Sequence, residues 1–269
     1  QVRSHFCSRQ AIRGGAWQIV SSPHVRRLRA VSAMAALGHG LVVVDEVPTF
    51  LAEMPKDRIV HFKGFGVGKL PSLEFDEAVL AELTGAVGDD GVVVWDGDEY
   101  EDSCFTRILD AFLQASGVRG VAFYYRPLQA AFLESWEARA RHYRGGISLV
   151  LVDDRPECSA GSEEGWLELG RQALRRTAAK QVLAVGGGGT AAAEAAACAE
   201  EGGGVRWTLL TVPRGHDPSD FGALHARALQ ERWCHVDVLT YNVQLRRFAS
   251  TGGTAHAQAR ASAGDCAVP

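Results

Sequence analysis

From about residue 91 to residue 241 of this 269-residue chain, short apolar runs alternate with helix-length amphipathic stretches. The runs are 92–95, 120–125, 147–152, 181–185, 206–212 and 235–241, and two more, 41–44 and 58–62, precede them. Most are β-branched or aromatic and continuous in apolarity, the pattern of strands buried on both faces. Helical stretches fill the gaps at about 72–87, 128–143, 163–179 and 190–201. Phe105, Ile108, Leu109, Phe112 and Leu113 follow an i, i+3, i+4, i+7, i+8 spacing, with Asp102 or Ser103 as N-cap. Asp217-Pro218 supplies a cap and a first-turn proline for a helix carrying Phe221, Leu224 and Trp233.

Strict alternation with short connections implies a parallel sheet with helices on both faces. A closed eight-stranded barrel needs about 250 residues for eight complete units. Fewer are available here, and the first two strands lack a clear helix between them. The expected fold class is therefore α/β: an open, doubly wound, Rossmann-like and mostly parallel sheet, one domain over residues 37–248.

The flanks differ in character. Residues 1–36 hold Arg3, Arg9, Arg13, Arg26, Arg27 and Arg29, with no acid before Asp45. Rich in Arg and Ser and preceding or spanning Met34, they are expected to be a presequence-like or leader segment. A transit peptide directs a chain to a mitochondrion or plastid; translated leader ahead of Met34 is the alternative. Residues 249–269 are small, polar and aperiodic, as a disordered tail is.

The net charge is −4, and with the N-terminal arginines set aside the rest of the chain is distinctly more acidic. That argues against a nucleic-acid partner, whose binding surfaces are basic. No run of 18 uncharged apolar residues exists to span a membrane. The six cysteines, Cys7, Cys104, Cys158, Cys198, Cys234 and Cys266, show neither a C-x-x-C pair nor zinc-ligand spacing.

In open α/β sheets ligands bind beyond the carboxyl ends of the strands, where the strand order reverses. Polar and turn-forming clusters fall at those ends here: Asp96-Gly97-Asp98-Glu99, Tyr124-Tyr125-Arg126-Pro127, Asp153-Asp154-Arg155, Gly186-Gly187-Gly188-Gly189-Thr190 and Pro213-Arg214-Gly215-His216-Asp217. The glycine run is the most specific of them. It leaves a strand and enters an alanine-rich helix that Thr190 can cap. Bare backbone N–H groups and the helix N-terminus together suit a phosphate. As a dinucleotide fingerprint the loop reads Gly186-x-Gly188-x-x-Ala191, and Arg214 stands where an acid would bind a ribose diol.

The segment GGGGT (186–190) also resembles the G-G-x-G-T segment of the LOG-type nucleoside monophosphate phosphoribohydrolases, over about ten residues. That family has a proline before the glycines and a glutamate three residues past the threonine. This chain has Val185 or Gly186 at the first position, and Glu194 comes one residue late. A second glycine-rich segment, Gly64-Phe65-Gly66-Val67-Gly68-Lys69, lacks the Ser or Thr that a Walker A loop needs for magnesium. It reads as a surface loop.

The expected function is binding of a phosphate-bearing small molecule, a nucleotide by class, through Gly186, Gly187, Gly188, Gly189, Thr190 and Arg214. An enzyme built on this site would act on the ligand's phosphate or glycosidic linkage, with Asp96, Asp98 or His216 moving the proton. A second hypothesis is a Mg²⁺-dependent phosphohydrolase or nuclease with Asp96, Asp98 and Asp153 as metal ligands. A third is a ligand sensor or scaffold without turnover. His61, His142 and His225 fall inside elements and read as structural.

Overall fold

The computed structural model of the chain describes residues 40–64, 73–96, 104–126, 128, 130–153, 162–201, 204–212, 223–231 and 233–250. Eight strands run parallel: β1 (Leu41–Val44), β2 (Ile59–Lys63), β3 (Val92–Asp96), β4 (Arg119–Tyr125), β5 (Ile147–Val152), β6 (Gln181–Val185), β7 (Arg206–Thr211) and β8 (Val236–Asn242). A ninth, β9 (Arg247–Ser250), returns antiparallel to β8. All belong to one sheet in the order β1-β5-β4-β3-β2-β6-β7-β8-β9. The helices are α1 (Phe50–Glu53), α2 (Leu73–Val87), α3 (Cys104–Ala115), α4 (Ala130–Ala140), α5 (Glu163–Thr177), α6 (Gly189–Glu200) and α7 (Ala223–Gln230). This is the Rossmann-like, doubly wound architecture that the alternation implies. Among the described residues no helix is long and apolar enough to cross a membrane.

Side chains alternate across a strand, so each strand feeds two cores. On one face Val60, Phe62, Val93, Trp95 and Leu183 pack under α2, α3 and α4 through Phe75, Leu83, Phe105, Phe112 and Trp136. This layer is aromatic: Phe62 stacks on Phe105 at 4.8 Å, and Trp95 on Trp136 at 5.8 Å. Gly64 makes the first stack possible, because a Cβ there would sit 2.2 Å from Phe105 Cδ2. On the other face Ile59, Val94, Val182, Ala184 and Leu209 pack under α5, α6 and α7 through Leu169, Ala173, Ala192, Ala195 and Leu224.

From β2 the sheet grows outward through β3, β4 and β5; α5 then leads to β6, on the other side of β2. Strand order therefore reverses between β2 and β6, with Val60 opposite Gln181 and Lys63 opposite Ala184. That reversal is where ligands enter sheets of this kind.

The structure also carries an element that the sequence pattern does not show. Strand β9 extends the sheet to Ser250, past the expected domain end at residue 248. Only its Phe248 is buried, against Tyr241 and Phe75, so four residues offer no period to read. Trp233 lies beyond the end of α7, and the expected cap at Asp217-Pro218 and the caps Asp102 and Ser103 lie outside the described residues.

Candidate functional site

At the reversal, β6 runs directly into the four glycines. Gly186 has φ +68°, a conformation glycine adopts at little cost, and its N–H donates to Leu210 O at 2.8 Å. Gly187 is buried under α7: Leu224 N donates to its carbonyl at 3.0 Å, and a Cβ would sit 2.7 Å from Leu224 Cβ. The first two glycines are thus required by the turn and its packing. Gly188 differs. It is the N-cap of α6, its φ of −79° is open to any residue, and no side chain among the described residues caps the helix. Thr190, the expected cap, lies inside the first turn instead.

A helix start leaves its first N–H groups without intrahelical acceptors. Next to this one, Thr211 at the end of β7 is 1% exposed, and its Oγ1 has no hydrogen-bond partner among the described residues. Alternation with Trp207 and Leu209 places Thr211 on the face that α6 covers.

On that same face the carboxyl ends of β2 and β3 carry a polar cluster in place of a core. Alternation along β2 sends Ile59, His61 and Lys63 toward α5 and α6. His61 is fully buried and hydrogen-bonds Asp96, the last residue of β3, through Nε2. Lys63 Nζ donates to both Asp96 oxygens, at 2.8 and 3.1 Å, and lies 2.7 Å from Oε2 of Glu194 on α6. Glu194 is 1% exposed at its side chain and Lys63 14%. Space for the cluster comes from α5, where a Cβ at Gly170 would stand 2.8 Å from both Glu194 oxygens and from Lys63 Nζ. Three polar atoms here, His61 Nδ1 and both Glu194 oxygens, have no hydrogen-bond partner among the described residues, so Lys63 meets Oε2 as an ion pair alone.

Burial disfavours charge on each of these groups, and the neighbours decide which give way. For Lys63 burial is outweighed by Asp96 and Glu194, which hold the ammonium above its ordinary range. For Asp96 burial is outweighed by Lys63 and His61, which hold the carboxyl well below the usual range. Glu194 goes the other way. Burial dominates, Asp96 adds to it, and Lys63 offsets only part, so the carboxyl is pushed up to about 7. Burial, then the charge of Lys63, pushes His61 down against the pull of Asp96. Its imidazole is neutral, with Nε2–H donating to Asp96. Lys63 and Asp96 stay charged near neutrality, while Glu194 exchanges a proton.

Of the residues singled out in the sequence, Gly186 to Thr190 and Asp96 meet at the reversal. Asp153 does not. Strand β4 separates β3 from β5, and Asp153 lies beyond the end of β5, three residues past Val150, whose level Asp96 shares. At ordinary strand spacings that is about 10 Å across and about 10 Å along. Its carboxylate is exposed and pairs with Arg126 at 3.1 Å, and Arg126 also binds Asp45. Asp96 already holds a cation, Lys63. Among the described residues no group of three or more His, Cys, Asp or Glu is placed to hold a metal ion. Asp98, Arg214 and His216 lie outside the described residues, as do Asp154 and Arg155.

Sequence reasoning missed His61 and Lys63, and met Glu194 only as a displaced family glutamate. The available signal was the order Ile-Val-His-Phe-Lys in β2, which puts two polar side chains on one face of a central strand. No protein-family model, no curated protein and no solved structure matches the chain.

Proposed function

We propose that the chain binds a phosphate-bearing small molecule, a nucleotide by class, at the carboxyl edge between β2 and β6. An anionic group of the ligand sits on the first turn of α6. The observation that carries this reading is the uncapped start of α6 at the reversal of strand order, with a glycine whose backbone conformation does not require one. Oxygen from a ligand supplies the acceptor that a Ser, Thr or Asp cap would otherwise provide. The buried, unpartnered Thr211 hydroxyl supports the same location. In a catalytic version the chemistry acts on the ligand's phosphate or glycosidic linkage. Arg214, three residues past the end of β7, serves as anion clamp and His216 as acid–base. The metal-dependent alternative is less well supported, because Asp96 is held by Lys63 and Asp153 stands apart.

A thermal-shift titration with mono- and diphosphate nucleotides tests the reading. The parent melts higher with nucleotide, while Mg²⁺ alone leaves it unchanged. Gly188→Val folds, since valine tolerates the extended backbone, but loses at least tenfold in affinity. Parent-like affinity in Gly188→Val overturns the assignment of the anion to α6.

A further inference from the structure

The ligand reading leaves open which cation meets the anion, and the geometry points to Lys63. We propose that Lys63 is the ligand's counter-cation, held in reserve between Asp96 and Glu194, and that anion binding draws it off Glu194 while Asp96 keeps its hold. This inference rests on the ligand reading and deepens it.

Three features of the cluster carry it. First, Lys63 is the last residue of β2, at the edge that receives the ligand, and at 14% it is the most exposed member of the cluster. Second, its two attachments are unequal. Both Asp96 oxygens accept from it, at 2.8 and 3.1 Å, whereas Glu194 offers one oxygen at 2.7 Å. Letting go of Glu194 leaves the ammonium tethered and close by. Third, Glu194 is badly provided for. It is fully buried, neither of its oxygens has a hydrogen-bond partner among the described residues, and the only close cation among those residues, Lys63, is shared with Asp96. An isolated buried carboxylate is costly, and a proton removes both the charge and its pull on the lysine.

The surroundings offer Glu194 little else. Lys63 faces it from β2 and Asp96 from β3, and β6 has no ionisable side chain. Arg171 of α5 acts on it only at a distance, because its guanidinium is held by Glu201 at 2.7 Å. Cys198 is one turn further along α6. Glu194 itself lies five residues past Gly189, about 7.5 Å along the helix axis from the anion site. A dianion at the first turn adds a third negative group around one lysine. The arrangement accommodates it when Glu194 takes a proton, a step made easy by a carboxyl already pushed up to about 7.

Sulfate is the probe, because its charge is constant between pH 6 and pH 8. Calorimetric titrations in buffers of different ionisation heat measure its affinity and the protons taken up, with melting curves to confirm folding. The parent is expected to bind at least fivefold more tightly at pH 6 than at pH 8, with proton uptake on binding. Glu194→Gln is expected to bind at both pH values as the parent does at pH 6. Lys63→Met should lose at least tenfold; should it fail to fold, proton uptake by the parent and the Glu194→Gln profile decide the matter. Sulfate binding that is lost in Gly188→Val but unchanged in Glu194→Gln and Lys63→Met overturns this inference and leaves the ligand site standing. Failure of the parent and Glu194→Gln to bind either sulfate or nucleotides at both pH values overturns the two together.

Discussion

Strand β2 faces two different environments within five residues. Val60 and Phe62 enter an aromatic layer under α2 and α3, where shape alone decides the fit. Ile59, His61 and Lys63 point the other way, and past Ile59 the core gives way to an ion cluster beneath α5 and α6. Apolar residues of similar volume are often as stable as a buried ion pair or more so, so charge in such a place is weak evidence for stability. Its location is informative. The cluster stands at the one point where the order of strands reverses, beside the uncapped helix α6. One face of β2 is an apolar core, and the other is arranged around buried charge.

Removing charge from the polar face should do more damage than trimming the apolar one. Asp96→Ala takes the partner from His61 and the double acceptor from Lys63, and should cost about 3–5 kcal/mol. Phe62→Leu removes part of the buried ring and its stack on Phe105 but keeps the site apolar, and should cost about 1–2 kcal/mol. Urea unfolding of both variants checks the ranking, and equal losses would contradict the contrast.

The pH dependence of stability sharpens it further. Between the ordinary carboxyl range and about 7, folded Glu194 keeps a proton that the unfolded chain has released. Its contribution therefore falls as pH rises through that window, by at most about 1.4 kcal/mol per pH unit. His61 acts oppositely. Below its ordinary value the unfolded chain takes a proton that the buried imidazole refuses, so stability falls as pH drops, and His235, lowered by burial, adds in the same sense. The two slopes oppose each other below about pH 6.5. Glu194→Gln removes one and should lose stability more steeply on acidification than the parent, whereas Phe62→Leu should shift the profile without changing its shape. Superimposable profiles for parent and Glu194→Gln would count against the cluster's proton balance.

The smallest contrast concerns two helical glycines. An alanine at Gly85 of α2 meets nothing within 4 Å and should stabilise by about 0.5–1 kcal/mol. At Gly170 of α5 the same gain is overridden, because the new Cβ pushes on Glu194 and Lys63 at 2.8 Å. A net loss of about 1 kcal/mol is expected. Thermal melts of the two variants should move in opposite directions.

Much of the fold was legible because buried parallel strands are continuous apolar runs. The runs at 41–44, 147–152 and 181–185 coincide with β1, β5 and β6 at both ends, and the others differ by one residue at one end or both. Strand β9 was not, since one inward phenylalanine makes no pattern. For the site, the glycine loop announced itself by composition, yet only the backbone separates Gly186 and Gly187, which the turn and α7 require, from Gly188, which they do not. His61 was read as structural because a polar residue inside a strand is usually paired quietly within the core, and Lys63 was passed over because the expected strand stopped at residue 62, one short of the end of β2. Their meeting with Glu194 depends on strand order, which brings β2 beside β6, and no local pattern encodes that. The same cause lets Asp96 and Asp153 look alike in sequence and part company in space.

The central claim is that a phosphate-bearing ligand rests on the first turn of α6, and amide chemical-shift mapping with a nucleotide tests it most directly. Titration of the labelled protein should move the amide signals of Gly188, Gly189, Thr190 and Ala191 first and furthest, with a saturable curve that gives one affinity. The Gly85 amide, on the opposite face, should stay still. Saturable shifts centred elsewhere, with the four α6 amides unmoved, would contradict the account.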